Sequence, residues 1–134
     1  MTKLFATIGL VLLLSGSAHA APFDGAWSVT QDCPDVGDIK GYNYRYVARI
    51  KDGVLHGQYG IKGKPSSVTL EGRIQSDGTA VLKAKGISGI TDYALTRLAT
   101  GSAYSFDVTA RFEGSRGSGN RVGGRVCNFT FVKQ

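Results

Sequence analysis

The chain is short of nearly every residue type on which protein chemistry usually depends. Its 134 residues include two histidines, two cysteines, one tryptophan and one methionine. Met1 and His19 fall within the first twenty positions, so beyond them His56 is the single histidine and methionine is absent. One histidine with Cys33 and Cys127 falls short of the tetrahedral N/S set of a structural zinc site. A serine triad needs its histidine beside an activated serine, and no Gly-x-Ser-x-Gly elbow exists. Acidic residues are also scarce, 10 against 16 basic ones. Glu71 and Glu113 fall at outward strand positions, which argues against a glycosidase carboxylate pair. Helical heptads are missing, which excludes coiled coils, and the length suits one domain rather than a multidomain enzyme. No catalytic residue, metal site or cofactor is expected.

The one long apolar run lies at the start. Lys3, the stretch Leu4 to Leu14 and the small-x-small Ala18-His19-Ala20 have the layout of a secretory signal over residues 1–20. The run is too short and wrongly flanked for a membrane span. Without those twenty residues, 114 of the 134 remain, and the formal charge falls from +6 to +5 with the loss of Lys3. Residues 21–134 are expected to form a single domain at a periplasmic or secreted address. Two cysteines in an exported chain are expected to pair. Cys33 ends the first strand and Cys127 lies in the last, so a bridge would clasp the two ends of a sheet. A redox-active pair would want C-x-x-C spacing, which is absent.

What is present is alternation. Tyr42, Tyr44, Tyr46, Ala48 and Ile50 share one parity, with Asn43, Arg45, Val47, Arg49 and Lys51 on the other, as in a half-buried antiparallel strand. Asp52-Gly53 then reads as a two-residue hairpin turn that sets Ile50 against Leu55, Ala48 against Gly57 and Tyr46 against Tyr59. At the next hairpin, a three-residue loop Ser76-Asp77-Gly78 keeps core against core, with Ile74 facing Ala80 and Leu70 facing Ala84. The same register predicts a cross-strand ion pair between Glu71 and Lys83. A last hairpin with its tip at Ser118-Gly119 would set Phe106 against Phe131 and Val108 against Phe129. Adding a first strand from Phe23 to Gln31 and a weak one near Tyr93 to Leu98 gives about eight strands. The expected fold is all-β: an antiparallel up-and-down meander, most simply a small barrel closed by the Cys33–Cys127 disulfide.

Three groups of residues are candidates for binding. The row Tyr42, Tyr44, Tyr46 with Tyr59 and Tyr104 is predicted inward; with Trp27 it either lines a pocket or knits a core, since buried tyrosine hydroxyls need partners. The segment 114–125 is rich in glycine and arginine. Arg116, Gly117, Gly119, Arg121 and Arg125 could turn backbone N–H groups and guanidiniums toward an anion, or form a long soluble hairpin tip. Asp32, Asp35 and Asp38 read as a solvated loop, because a calcium loop wants a denser oxygen set and a closing glutamate. His56 falls on the outer face opposite Arg49. An outer basic stripe, Arg45, Arg49 and Lys51 with Lys62 and Lys64 nearby, favours anionic partners. Export argues against nucleic acid.

Short motifs add resemblances. Gly25-Ala26-Trp27 resembles the Gly-x-Trp that opens calycin barrels, the lipocalin and avidin group. Asp52-Gly53-Val54-Leu55-His56-Gly57-Gln58-Tyr59, then Leu70-Glu71-Gly72-Arg73 and Asp77-Gly78, is similar to the hairpins of avidin-like chains. The resemblance implies a ligand-holding barrel. It departs from avidins in offering only Trp27 where they use a cage of several tryptophans. Calycins lay a basic residue of the last strand over the first-strand tryptophan; if Cys33 opposes Cys127, that neighbour is Lys133 and not Arg125. Phe23 to Val29, Lys51 to Gly60, Ala110-Arg111-Phe112 and Cys127 to Gln134 also resemble a group of small exported alphaproteobacterial proteins, which implies an exported address and no particular activity.

The expected function is a non-enzymatic binding module, taking a small apolar ligand in the barrel or an anionic partner at the glycine–arginine segment. The alternative is a protein-interaction or enzyme-inhibitor protein, working through loops such as 114–124.

Overall fold

Period-two alternation becomes strands, and the pairing follows the sequence closely until the last third of the chain. The computed structural model describes Gly9, residues 22–89 and residues 101–134. In chain order the strands are β1 (Gly25–Cys33), β2 (Tyr42–Lys51), β3 (Val54–Tyr59), β4 (Ser67–Arg73), β5 (Thr79–Ile87), β6 (Ala103–Glu113), β7 (Arg116–Arg121) and β8 (Asn128–Lys133). Each is antiparallel to the next, and β8 returns to β1, so the sheet closes into a barrel. Closure leaves no free sheet edge, the usual route to unwanted strand pairing. No helix among the described residues is long and apolar enough to cross a membrane. The expected signal at 1–20, Gly9 apart, and the weak strand at Tyr93 to Leu98 lie outside the described residues.

The first two hairpins have the expected registers. Ile50 faces Leu55 and Ala48 faces Gly57, about a turn in which Asp52 and Gly53 both take positive φ (52° and 78°). Ile74 bridges to Ala80, and Leu70 faces Ala84. Glu71 does stand opposite Lys83, but they do not pair with each other. Glu71 binds His56 at 3.2 Å and Lys83 binds Asp107 at 2.5 Å, each across the strand boundary on its other side. These exposed pairs form on the outer face, where each carboxylate has two neighbouring strands to choose from and the energy at stake is small.

The last hairpin is a correction. Its tip is not at Ser118-Gly119 but at Gly114-Ser115, with Glu113 facing Arg116 and Phe112 facing Gly117. An extra strand, β7, therefore stands between β6 and β8, and Phe129 and Phe131 face Gly119 and Gly117 rather than Val108 and Phe106. The inward positions of β7 are Gly117, Gly119 and Arg121, so no apolar alternation announces it. The glycines are there for room. A Cβ on Gly117 would come within 2.8 Å of the Phe112 ring, and one on Gly119 within 2.9 Å of the Thr109 carbonyl. Glycine lets β6 and β8 bring their aromatic side chains together across a thin strand.

The two ends of the barrel are finished differently. At one end, Trp27, Phe112 and Phe131 are almost wholly buried. Trp27 meets Phe112 edge-on at 5.3 Å, and Phe112 meets Phe131 at 4.7 Å. The segment before β1 folds underneath as a plug. Phe23 packs on Phe112 at 5.9 Å, and its carbonyl accepts the Trp27 indole N–H at 2.8 Å. Asp24 fastens the plug to the β2–β3 turn, its carboxylate accepting the backbone N–H groups of Asp52 (2.8 Å) and Gly53 (3.0 Å). Trp27 faces Lys133 of β8, the neighbour that the cysteine register requires. Full burial of each such ring is worth about 1.5–3 kcal/mol.

Candidate functional site

The opposite end carries the disulfide. Cys33 and Cys127, separated by 94 positions, are bonded where β1 leaves the barrel and β8 is about to enter it. Arg125 reinforces this clasp from within the β7–β8 loop. It is almost fully buried, and its Nη2 donates to the carbonyls of Lys40 (2.6 Å) and Pro34 (3.1 Å), with that of Cys33 at 3.5 Å. The guanidinium also sits 5.1 Å from the centre of the Tyr42 ring. Asp35, in the same β1–β2 loop, accepts the Gly41 backbone N–H. Arg125 is thus a tie between two loops.

Within this frame the inward row of β2 reaches the mouth as Tyr42, Tyr44 and Tyr46, joined by Tyr59 from β3 and Tyr104 from β6. Tyr44 stacks on Tyr59 at 4.0 Å, Tyr42 tilts against Tyr44 at 4.8 Å, and Tyr46 lies 6.2 Å from Tyr59. Tyr104 stacks parallel to Phe106 at 6.1 Å. Over the Phe106 ring, 4.2 Å from its centre, lies the guanidinium of Arg121, the final residue of β7. All five tyrosines expected to line a pocket therefore meet at one end. Trp27 does not join them: on β1 it lies two residues beyond Val29, the partner of Tyr46, and is buried in the plugged end.

The mouth is polar in an unusual way. Gln31 is fully buried on the inner face of β1, its amide N–H end directed at the Tyr42 hydroxyl and the Cys33 sulfur, while its carbonyl oxygen finds no partner. The Tyr46 hydroxyl and the Arg121 Nε are also buried without one. Unmet buried polar atoms cost roughly 1–3 kcal/mol each, so three in one place call for an explanation. The phenols are held firmly protonated. Burial, then the neighbouring Tyr42 and Tyr59, push Tyr44 up to about 12. Burial, followed by the neighbouring phenols, raises Tyr46 and Tyr104 further, and burial raises Tyr42 against the opposing pull of Arg125 and Arg121. At any physiological pH these hydroxyls can act as hydrogen-bond donors.

The proposed anion loop is not assembled. Arg116 begins β7 at the plugged end and points outward, Gly117 and Gly119 face the core, Arg121 reaches the mouth and Arg125 is committed to backbone carbonyls. Segment 116–121 is strand, not a mobile tip. Gln31 is the mouth residue that the sequence reading missed. Its signal was available, since it is a polar residue at the inward parity of Trp27, Val29 and Cys33. A cavity of about 480 Å³ opens beside the mouth, against β4, β5 and β6, lined by Lys62, Ser67, Thr69, Lys85, Ser105 and the mouth's own Tyr104. Its Ser67 and Thr69 hydroxyls are already spent on Lys64 O and Gln58 Oε1, so less chemistry converges there. Among the described residues no group of histidine, cysteine, aspartate and glutamate side chains could hold a metal ion.

Fold and site together define a disulfide-clasped, eight-stranded antiparallel barrel with one aromatic plugged end and one tyrosine-lined mouth. No family model matches the chain, and neither does any curated protein or solved structure.

Proposed function

We propose that the protein is an exported, non-enzymatic binding module whose ligand is small and sits in the tyrosine-lined mouth. The observation that carries this reading is the convergence there of buried polar atoms without partners: the Gln31 carbonyl, the Tyr46 hydroxyl and the Arg121 Nε. A fold stabilised only by its core has no use for such atoms, and a bound molecule would satisfy them. The disulfide supports an oxidising compartment outside the cytoplasm. The interior toward Trp27 is filled with side chains, as expected of a barrel of this size, so a ligand in this reading stays at the mouth.

Native mass spectrometry of protein purified from the periplasm or medium of its own host tests the proposal. A small molecule should ride on the wild-type protein and be lost from a Gln31→Met, Tyr46→Phe variant. Wild-type protein that is always ligand-free would contradict it. A second reading, docking of a partner protein, is favoured by exposed apolar residues on three mouth loops: Val36, Ile61, Val122 and Val126. In that case the same purification yields a protein partner, and the tyrosines stay empty.

A further inference from the structure

We infer that the mouth takes a small, singly charged anion with a flat apolar body, of the aromatic monocarboxylate class, and that Arg121 holds its charge. The inference rests on the mouth being the ligand site. It comes from an inventory of what the mouth offers. The groups there that can donate include the unpartnered Tyr46 hydroxyl and the guanidinium of Arg121, whose Nε is unpartnered. Among the described residues no carboxylate pairs with that cation. Among the described residues the two ion pairs, His56–Glu71 and Lys83–Asp107, both lie on the outer face, and neither involves Arg121. A half-buried guanidinium without an acidic partner, resting on an aromatic floor in a water-poor setting, attracts an anion more strongly than an exposed one would.

The charge of the ligand is set by how many cations remain available. Arg125 spends its Nη2 on the Pro34 and Lys40 carbonyls, so it contributes field and no open fork. Lys133 faces inward only at the plugged end. Among the described residues Arg121 is the one guanidinium resting on a mouth ring that is not committed to backbone carbonyls. A single such fork matches one negative charge, which favours a carboxylate over a phosphate dianion. The body of the ligand is set by the walls. Tyr104 and Phe106 lie nearly parallel, 7° apart, so the surface beside the charge is ring faces. Flat apolar groups stack on such faces. The unpartnered Gln31 carbonyl adds one acceptor, suited to a hydroxyl or N–H on the ligand ring.

Three probes of one shape separate charge from shape: benzoate, benzamide and benzylamine, titrated into the intact oxidised protein while backbone amide NMR signals are followed. Benzoate should shift signals of Gln31, Tyr44, Tyr104 and Arg121, and bind at least about tenfold more tightly than the other two. Arg121→Gln should weaken benzoate by about 10- to 100-fold, with signals at the plugged end unmoved, whereas Arg116→Gln should change nothing. If benzamide or benzylamine binds the mouth as well as benzoate does, or if Arg121→Gln binds benzoate normally, the anion inference is overturned and the mouth reading stands. If none of the three shifts a mouth signal, both fall.

Discussion

The two ends of this barrel are built from the same rule and reach opposite results. In both, alternate residues of each strand point inward. At the plugged end those residues are Trp27, Phe112 and Phe131, with Phe23 closing from below, and the polar groups nearby are paired: the indole N–H with the Phe23 carbonyl, the turn amides with Asp24. At the mouth the inward residues are five tyrosines, Gln31 and Arg121, and three of their polar atoms are buried without partners. Packing cannot hold such an end together at low cost. The chain instead ties it with a covalent bond and with Arg125 bridging two loops. Stability is concentrated where the rings pack, and unused hydrogen-bonding capacity is concentrated where the disulfide makes it tolerable.

Four substitutions or conditions break or sharpen this contrast. The largest effect is expected from Cys33→Ser with Cys127→Ser. Opening a 94-residue loop removes about 4–5 kcal/mol in the chain-entropy model, read as a fall in urea midpoint against the oxidised protein. Next, Trp27→Ala should cost about 3–5 kcal/mol, since it leaves a cavity beneath Phe112 in the plugged end. Asp24→Ala loosens the plug without touching the core and should cost about 1 kcal/mol by denaturation, from two lost bonds to the β2–β3 turn.

Alkaline pH tests the mouth through its tyrosines. Tyr44 is held up at about 12, above the ordinary tyrosine value of 10.0, so the unfolded chain loses its proton first. Its contribution is therefore complete below pH 10.0 and is lost as pH rises toward about 12. Tyrosinate absorbance should show these raised phenols titrating late, and Trp27 fluorescence should stay native until they do. Coincident titration of all the tyrosines at the ordinary value would remove the distinction between the two ends.

Much of the fold could be read from alternation and turn chemistry, because Asp52-Gly53 and Ser76-Asp77-Gly78 each fix a register and one residue of slip would turn the core outward. The cysteine pair followed from position in the chain. β7 was not legible for a physical reason: its inward positions hold Gly117, Gly119 and Arg121, which serve the packing of neighbouring strands by being small or by reaching the mouth. A glycine–arginine tract then looks like a loop. The tyrosines were legible as an inward row, but sequence has no signal for which end of a barrel a row occupies, so Trp27 was grouped with them. Gln31 was visible by parity. Its importance depends on its lacking a partner, which only coordinates reveal.

The central claim is that the polar atoms of the mouth are not there to hold the fold. The most direct measurement is the urea unfolding free energy of Gln31→Met combined with Tyr46→Phe, compared with wild type in the oxidised, ligand-stripped protein. Removing a free carbonyl and a free hydroxyl should leave stability within about 1 kcal/mol of wild type, or raise it. A loss of about 3 kcal/mol or more, matching Trp27→Ala, would mean that the mouth is simply the other half of the core.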